Sequence, residues 1–274
     1  EGVLRHIIAK TLNKRLMLVL VINANTLNGV EELIELFKGE FEDFSLFLNI
    51  NKVNDNVILG EQYIHVYGDE FIEFEEFGVK YPVFPQSFMQ VNNGVKTKLY
   101  TDVFKSLELD ENTTVIDAYS GAGVMTAMFA TVCKKAIGIE IIKEAVDSAN
   151  ALAKNNNLND KMFNYCGDCA NLLPDIIEKE RVNCSEIKVV LDPPRKGVDY
   201  AVLDAILKSK PNKIVYVSCS PQSLGRDLGI LLNTLHYDGK ELKKNDIIDV
   251  APDFIFKKGL LKSVKMQLKL EHLL

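Results

Sequence analysis

The stretch Thr113-Thr114-Val115-Ile116-Asp117-Ala118-Tyr119-Ser120-Gly121-Ala122-Gly123 is a short apolar β-type run that stops at two closely spaced glycines. Glycines at such a point permit a tight turn and let a ligand approach the backbone at the carboxyl end of a strand. The alternation begun there continues downstream. Strand-like runs fall at roughly 113–118, 135–140, 162–166, 186–191 and 213–218, with helical spacing at about 123–132, 143–156, 170–178, 199–208 and 221–235. Strands separated by helices of this length pair in parallel through right-handed crossovers. The expected fold class is therefore α/β, with a doubly wound, Rossmann-like sheet. A dinucleotide site would need a third glycine where Thr126 stands, so the G-x-G-x-x-G fingerprint fails.

The following strands also end in residues that carry chemistry. Ala136-Ile137-Gly138-Ile139-Glu140 ends in a carboxylate able to accept both hydroxyls of a ribose, although an acid also suits a helix N-terminus. The third strand leads into Gly167-Asp168, suited to an adenine amino group. Acids at consecutive strand ends point to adenosine binding. The fourth strand runs into Asp192-Pro193-Pro194-Arg195-Lys196-Gly197, where two prolines make a rigid floor that needs no backbone donor. The fifth leads from Ile214-Val215-Tyr216-Val217 into Ser218-Cys219-Ser220-Pro221, placing a soft nucleophile at the rim of the same sheet edge. Cys166 and Cys169 form an isolated C-x-x-C, and His6, His65, His236 and His272 are scattered. That pattern is not a zinc site and no metal is expected; a redox pair is the alternative, and small buried hydrophobes are the plainer role.

Residues 1–80 read as a separate, smaller α+β domain, with the second domain running over 81–274. Arg15–Ile22 is a strand, and Val30, Leu33, Ile34 and Phe37 share one helical face. Phe44–Ile50 and Val57–Leu59 read as a hairpin around 51–56. Tyr63–Tyr67 and Phe71–Phe77 read as a strand pair broken at Gly68-Asp69, followed by a linker from Gly78 to Pro85. Ser87-Phe88-Met89-Gln90-Val91-Asn92 opens into a helix from about Asn93 to Leu107, and 240–274 reads as two strands with a loop at 251–259.

With 274 residues and 47% hydrophobic content the chain can bury a sizeable core. The apolar run Leu16–Ile22 is too short to cross a membrane. Five cysteines, an odd number, argue against a disulfide framework, and a reducing cytoplasm is the expected location. The net charge of −6 opposes contact with phosphates unless basic residues cluster locally. Candidates are Lys134-Lys135, Arg195-Lys196, Lys213 with Arg226, and Lys257-Lys258 through Lys265.

Taken in order, these strings resemble the RNA uracil-C5 methyltransferases, which make 5-methyluridine with S-adenosylmethionine. The resemblance runs through Leu4-Arg5-His6, Asn49-Ile50-Asn51 with Asn56-Val57-Ile58-Leu59-Gly60, and Ser87 to Asn92. It continues through the glycine turn, Asp192 to Gly197, and Val215 to Leu228. It implies a class I methyltransferase sheet behind an RNA-contacting central domain. It also implies an RNA substrate, ribosomal in preference to transfer RNA, and no membrane partner. Cys219 matches the nucleophile that adds to uracil C6, with Arg226 a candidate for the nearby positive charge. Asp192 matches the residue on the uracil edge or the cofactor. Gln90, Tyr119, Glu140 and Asp168 match cofactor contacts, beside the turn residues Asp117, Gly121 and Gly123.

The chain departs from that pattern in three places. Relatives commonly carry an RNA-binding barrel, and often four cysteines for an iron–sulfur cluster, upstream of these motifs, so the chain reads as a catalytic fragment. Ser220 stands where relatives have Asn. The C-terminal His-Val-Glu segment, whose glutamate takes the C5 proton, aligns with Leu260-Leu261-Lys262-Ser263-Val264, and no residue matches the base. An RNA cytosine-C5 methyltransferase would carry its cysteine in an Asp-x-Pro-Cys motif after the fourth strand, where Arg195 stands. Amino-group methyltransferases have no need of Cys219. A scaffold that binds RNA or cofactor without turnover is the remaining alternative, suggested by Lys262 and the net charge.

Overall fold

The computed structural model describes residues 2–12, 14–53, 56–87, 93–183, 186–232, 235–237, 242–244, 254–257 and 266–271. It separates into two units, Glu1–Glu76 with Lys80–Met89 and Phe77–Val79 with Gln90–Leu274.

In the first unit β1 (Leu4–Leu12), β2 (Arg15–Ile22), β3 (Phe44–Ile50) and β4 (Gln62–Tyr67) form a sheet in that order, with α1 (Val30–Glu40) crossing between β2 and β3. The crossover makes β2 and β3 parallel, whereas β1 and β4 run antiparallel to their neighbours. Every β2 residue from Leu16 to Ile22 is buried, as an inner strand covered on both faces must be. Leu16, Leu18, Leu20 and Ile22 pack with Leu33, Ile34 and Phe37 of α1, while Met17 and Val19 face Ile72 and Val83.

Three expectations for this unit are corrected. Val57–Leu59 is not a strand, because side chains have taken the backbone bonds a ladder would supply. Asn51 Nδ2 donates to the carbonyls of Val57 and Ile58 at 2.7 and 3.1 Å, and the Gly60 N–H donates to Asn49 Oδ1 at 2.7 Å. β3 instead pairs with β4. β5 (Ile72–Glu76) does not pair with β4, but forms a two-stranded ribbon with β6 (Val79–Val83), so the expected linker contains a strand. Leu4–Leu12, not read as a strand, is an edge strand whose irregular exposure leaves no alternation to detect.

The second unit opens with α2 (Asn93–Leu107). It continues as β7 (Thr113–Asp117), α3 (Val124–Ala130), β8 (Lys135–Glu140), α4 (Lys143–Asn155), β9 (Met162–Cys166), α5 (Cys169–Arg181), β10 (Glu186–Leu191), α6 (Tyr200–Ser209), β11 (Lys213–Ser218) and α7 (Pro221–Leu231). Then come β12 (Leu235–Tyr237), β13 (Leu242–Lys244), β14 (Phe254–Lys257) and β15 (Met266–Glu271). The main sheet has the order β14-β15-β11-β10-β7-β8-β9. Its β7 to β11 pairs are parallel, and β15 is antiparallel to β11. The doubly wound sheet is thus present. β14 lies inside the stretch read as a 251–259 loop.

One face of this sheet buries Ile116, Ile137, Ile139, Val189, Leu191, Ile214 and Tyr216 against Leu173 and Ile177 of α5, Val202 and Ile206 of α6, and Leu224 and Leu228 of α7. These strands are buried at nearly every position because helices cover both faces. Among the described residues no helix is long and apolar enough to cross a membrane.

Candidate active site

β7 has β8 on one side and β10 on the other, so the chain leaves the middle of the sheet in two directions. Such a switch point opens a crevice at the carboxyl ends of the strands. A cavity of about 440 Å³ lies there, walled by Tyr119 after β7, Glu140 and Ile141 after β8, Gly167 and Asp168 after β9, and Asp192 and Pro194 after β10. Ala118, Ile139, Cys169, Lys196, Gly197, Asp199 and Val202 complete the wall.

The acids are held rather than merely exposed. Glu140 Oε2 accepts the Gly121 N–H at 3.0 Å and its Oε1 accepts the Ile142 N–H at 2.9 Å. The glycine turn and the carboxylate that ends β8 are therefore tied together. Asp168 Oδ1 accepts the Ala170 N–H at 2.7 Å and caps α5, so it serves the helix and the cavity together. Gly121 has φ +53°, with nothing within 4 Å of where a Cβ would stand. At Gly123, the N-cap of α3, an added Cβ would instead run into Ala149 and Met162.

Asp117 is fully enclosed and lies behind the cavity wall rather than on it. Its Oδ2 accepts the Thr126 hydroxyl at 2.7 Å, and its Oδ1 has no hydrogen-bond partner. Thr126, which breaks the dinucleotide fingerprint, is thus the residue that orients this acid. Burial pushes the Asp117 carboxyl up to about 7, opposed by the Thr126 bond and reinforced by the charge of Asp192. Burial likewise raises the half-buried Tyr119 phenol.

A folded-state value above the ordinary 3.8 means that the native state holds the proton more tightly than the unfolded chain. The stabilising contribution is full below the ordinary value and is lost as pH rises through about 7. Urea unfolding between pH 5 and 8 should therefore show Asp117→Asn losing a downward slope of at most about 1.4 kcal/mol per pH unit that the unchanged protein has. Equal slopes would remove the argument.

Cys219 is an exposed free thiol one residue beyond β11. Ser218 Oγ accepts the Ser220 N–H at 3.1 Å, and Ser220 Oγ caps α7 by accepting the Ser223 N–H at 3.3 Å. The serine that replaces asparagine is therefore a helix cap. Cys219 does not line the cavity. It stands at the end of the strand next to that of Asp192, since Leu191 pairs with Tyr216. The Arg226 guanidinium is directed at Asp227 and the Val198 carbonyl. Gln90 lies outside the described residues, as does the 260–264 segment. Cys166 is exposed, whereas Cys169 is buried with its thiol pushed up to about 12 by burial. Among the described residues no group of His, Cys, Asp and Glu is placed to hold a metal ion.

The sequence pattern marks neither Ile141 nor Asp199 as a site residue, and marks Lys196 only as a candidate for phosphate contact. Ile141 is 67% exposed directly after Glu140, an apolar surface residue whose position was the available signal. Asp199 and Lys196 form an ion pair at 3.3 Å, a spacing that reads as ordinary surface charge. The cavity suits an adenosine-bearing ligand, with acids at successive strand ends, the apolar Ile139 and Ile141 between them, and open space at Gly121.

The chain is 37% identical over 234 residues to an uncharacterized RNA methyltransferase of Clostridium tetani (strain Massachusetts / E88), covering 84% of this chain and 50% of the relative. It is also 37% identical over 254 residues to one of Clostridium acetobutylicum, covering 92% and 54%. It therefore spans about half the length of the curated relatives it matches. The crystal structure of a Pyrococcus abyssi tRNA (uracil-54, C5)-methyltransferase with S-adenosyl-L-homocysteine superposes with TM-score 0.64 at 24% identity, covering 87% of this chain and 55% of that one. An M. jannaschii tRNA m1G37 methyltransferase gives 0.52 at 13% identity, covering 95% and 73%. Those likenesses establish the Rossmann-like class I methyltransferase fold. The profile described as tRNA (Uracil-5-)-methyltransferase matches residues 10–242, and the chain belongs to that family.

Proposed function

We propose that this chain carries the catalytic part of an S-adenosylmethionine-dependent enzyme that methylates C5 of a uridine in RNA through a covalent Cys219 adduct. The supporting observation is the arrangement along one sheet edge. Glu140 and Asp168 line a cavity that continues to Asp192, and Cys219 directly follows the neighbouring strand. Ribosomal RNA is the preferred substrate in this reading and transfer RNA the second. The first unit contributes RNA contact, and the protein acts in the cytoplasm.

Glu140 and Asp168 would hold the ribose and adenine of the cofactor, beside Tyr119 and the glycine turn. The bound cofactor supplies an electrophilic sulfonium methyl. Uracil C5 is a poor nucleophile until a thiolate adds to C6. Cys219 forms the S–C6 bond, the 5,6 π electrons pass to the C4 oxygen as an enolate, and C5 becomes nucleophilic. Asp192 accepts from the uracil N3–H and so orients the base for that addition. The target base must first leave its stack, at a cost of a few kcal/mol. Release then needs loss of the C5 proton to a base, with the S–C6 electrons returning to sulfur as the double bond re-forms.

An RNA bearing 5-fluorouridine tests the proposal, because fluorine at C5 cannot leave as a proton and the adduct persists. With cofactor present the unchanged protein should form a denaturation-resistant complex, and Cys219→Ala should not. Absence of the complex in the unchanged protein would reject covalent uracil methylation, favouring the non-catalytic alternative. Mapping 5-methyluridine in ribosomal and transfer RNA of cells lacking the protein separates the two substrates.

A further inference from the structure

The β10–β11 ladder ends with Leu191 opposite Tyr216, so Asp192 and Cys219 both stand beyond its last paired residues. What ties their surroundings together lies on α7. Asp227, with 0% exposure, accepts at Oδ2 from the Val198 N–H at 2.8 Å and from the Tyr216 hydroxyl at 2.6 Å. Its Oδ1 accepts from Arg226 Nε at 2.6 Å, and Arg226 Nη2 donates to the Val198 carbonyl at 3.1 Å. Val198 follows the Asp192–Gly197 string directly. Both its backbone groups are held by consecutive residues of the helix that begins just after Cys219. Ser223 Oγ donates to the Arg195 carbonyl at 3.0 Å, a further staple to the same loop. Gly197 has φ +84°, and a Cβ there would lie 2.5 Å from Asp227 Oδ2. The loop can come this close only as glycine.

Burying the Asp227 carboxylate beside the partly exposed Arg226 guanidinium adds little stability, because desolvation offsets most of the attraction. A fully satisfied buried network does enforce one geometry. The loop held here carries Asp192, Pro194, Lys196 and Gly197 on the cavity wall. We propose that Asp227 is a positioning residue, with Tyr216 and Arg226 as its supports, that fixes the Asp192 loop relative to Cys219. The chemical consequence rests on the covalent reading above; the anchoring does not. Asp227 acts through these neighbours and touches no reacting atom.

Two variants test this. Asp227→Asn combined with Arg226→Met removes both charges and so avoids stranding one in the core. Tyr216→Phe removes only the hydroxyl bond to the carboxylate. Amide hydrogen exchange at Val198 reads the anchor. Adduct formation with 5-fluorouridine RNA, at saturating RNA and cofactor and per folded protein, reads the chemistry. In the double variant Val198 exchange should rise about tenfold or more while sheet amides keep their protection. The adduct rate should fall about 10- to 100-fold, with the half-saturating RNA concentration changed by less than about threefold. Tyr216→Phe should fall between. Unchanged exchange at Val198 overturns the proposal. So does a wild-type adduct rate in a loosened loop, or a rate loss that only follows the folded fraction. If the unchanged protein forms no adduct, the covalent reading fails, and the exchange measurement still decides whether Asp227 anchors the loop.

Discussion

Cys219→Ala should reduce single-turnover methylation of uridine RNA by about 10⁴-fold or more, the scale of losing a covalent nucleophile. The same substitution should leave folding nearly untouched. Cys219 is exposed, and the turn around it is held by Ser218 and Ser220 through their own hydroxyls. Because the thiol does not line the cavity, affinity for S-adenosylhomocysteine should change by less than about twofold, a statement of lost transition-state rather than ground-state interaction. Cys166→Ala is the matched control, since that thiol is also exposed and lies at the end of the edge strand β9. Its activity should match the unchanged protein. Retention of turnover within tenfold in Cys219→Ala, or equal losses in both variants, would falsify nucleophilic catalysis at Cys219.

The parts of this molecule that could be read from sequence are those in which each residue's role follows from its neighbours along the chain. The parallel strands are apolar runs between helices, and their carboxyl ends bring Glu140, Asp168 and Asp192 to one edge by topology alone. The hairpin expected at 57–59 failed for the opposite reason. Asn49 and Asn51 are buried at 0% and 4%, and they satisfy a neighbouring loop with side-chain amides, so apolar residues stand there without a partner strand. The pairing of β5 depends on which strand lies beside it, which alternation does not encode. Asp227 next to Arg226 looks like ordinary surface charge. Only the packing of β11 and the Val198 loop over it makes it a buried hub.

Gly123→Ala should destabilise the second unit by about 2–5 kcal/mol, combining a left-handed backbone cost of about 1–2 kcal/mol with overpacking of about 1–3 kcal/mol. Gly123 has φ +76°, and its added Cβ would stand 2.6 Å from Ala149 Cβ, 2.7 Å from Met162 Cε and 3.3 Å from Ala149 Cα. The Met162 methyl can swing away. Ala149 cannot, because it is buried in the middle of α4, so α3 and α4 would have to separate. A loss of this size lowers the thermal midpoint by roughly 4–20 °C in a unit of this length. Gly121→Ala separates the two contributions. It meets the same left-handed backbone, at φ +53°, but no atom within 4 Å, so it should cost about 1–2 kcal/mol. The Gly121 N–H is the donor that Glu140 Oε2 accepts, so strain at this turn disturbs that carboxylate, and cofactor affinity should fall more than stability does. Gly123→Ala should show the reverse, with affinity of the folded fraction nearly preserved. Equal stability losses for the two substitutions would mean that backbone strain alone requires these glycines, and that the close approach of α3 to α4 does not.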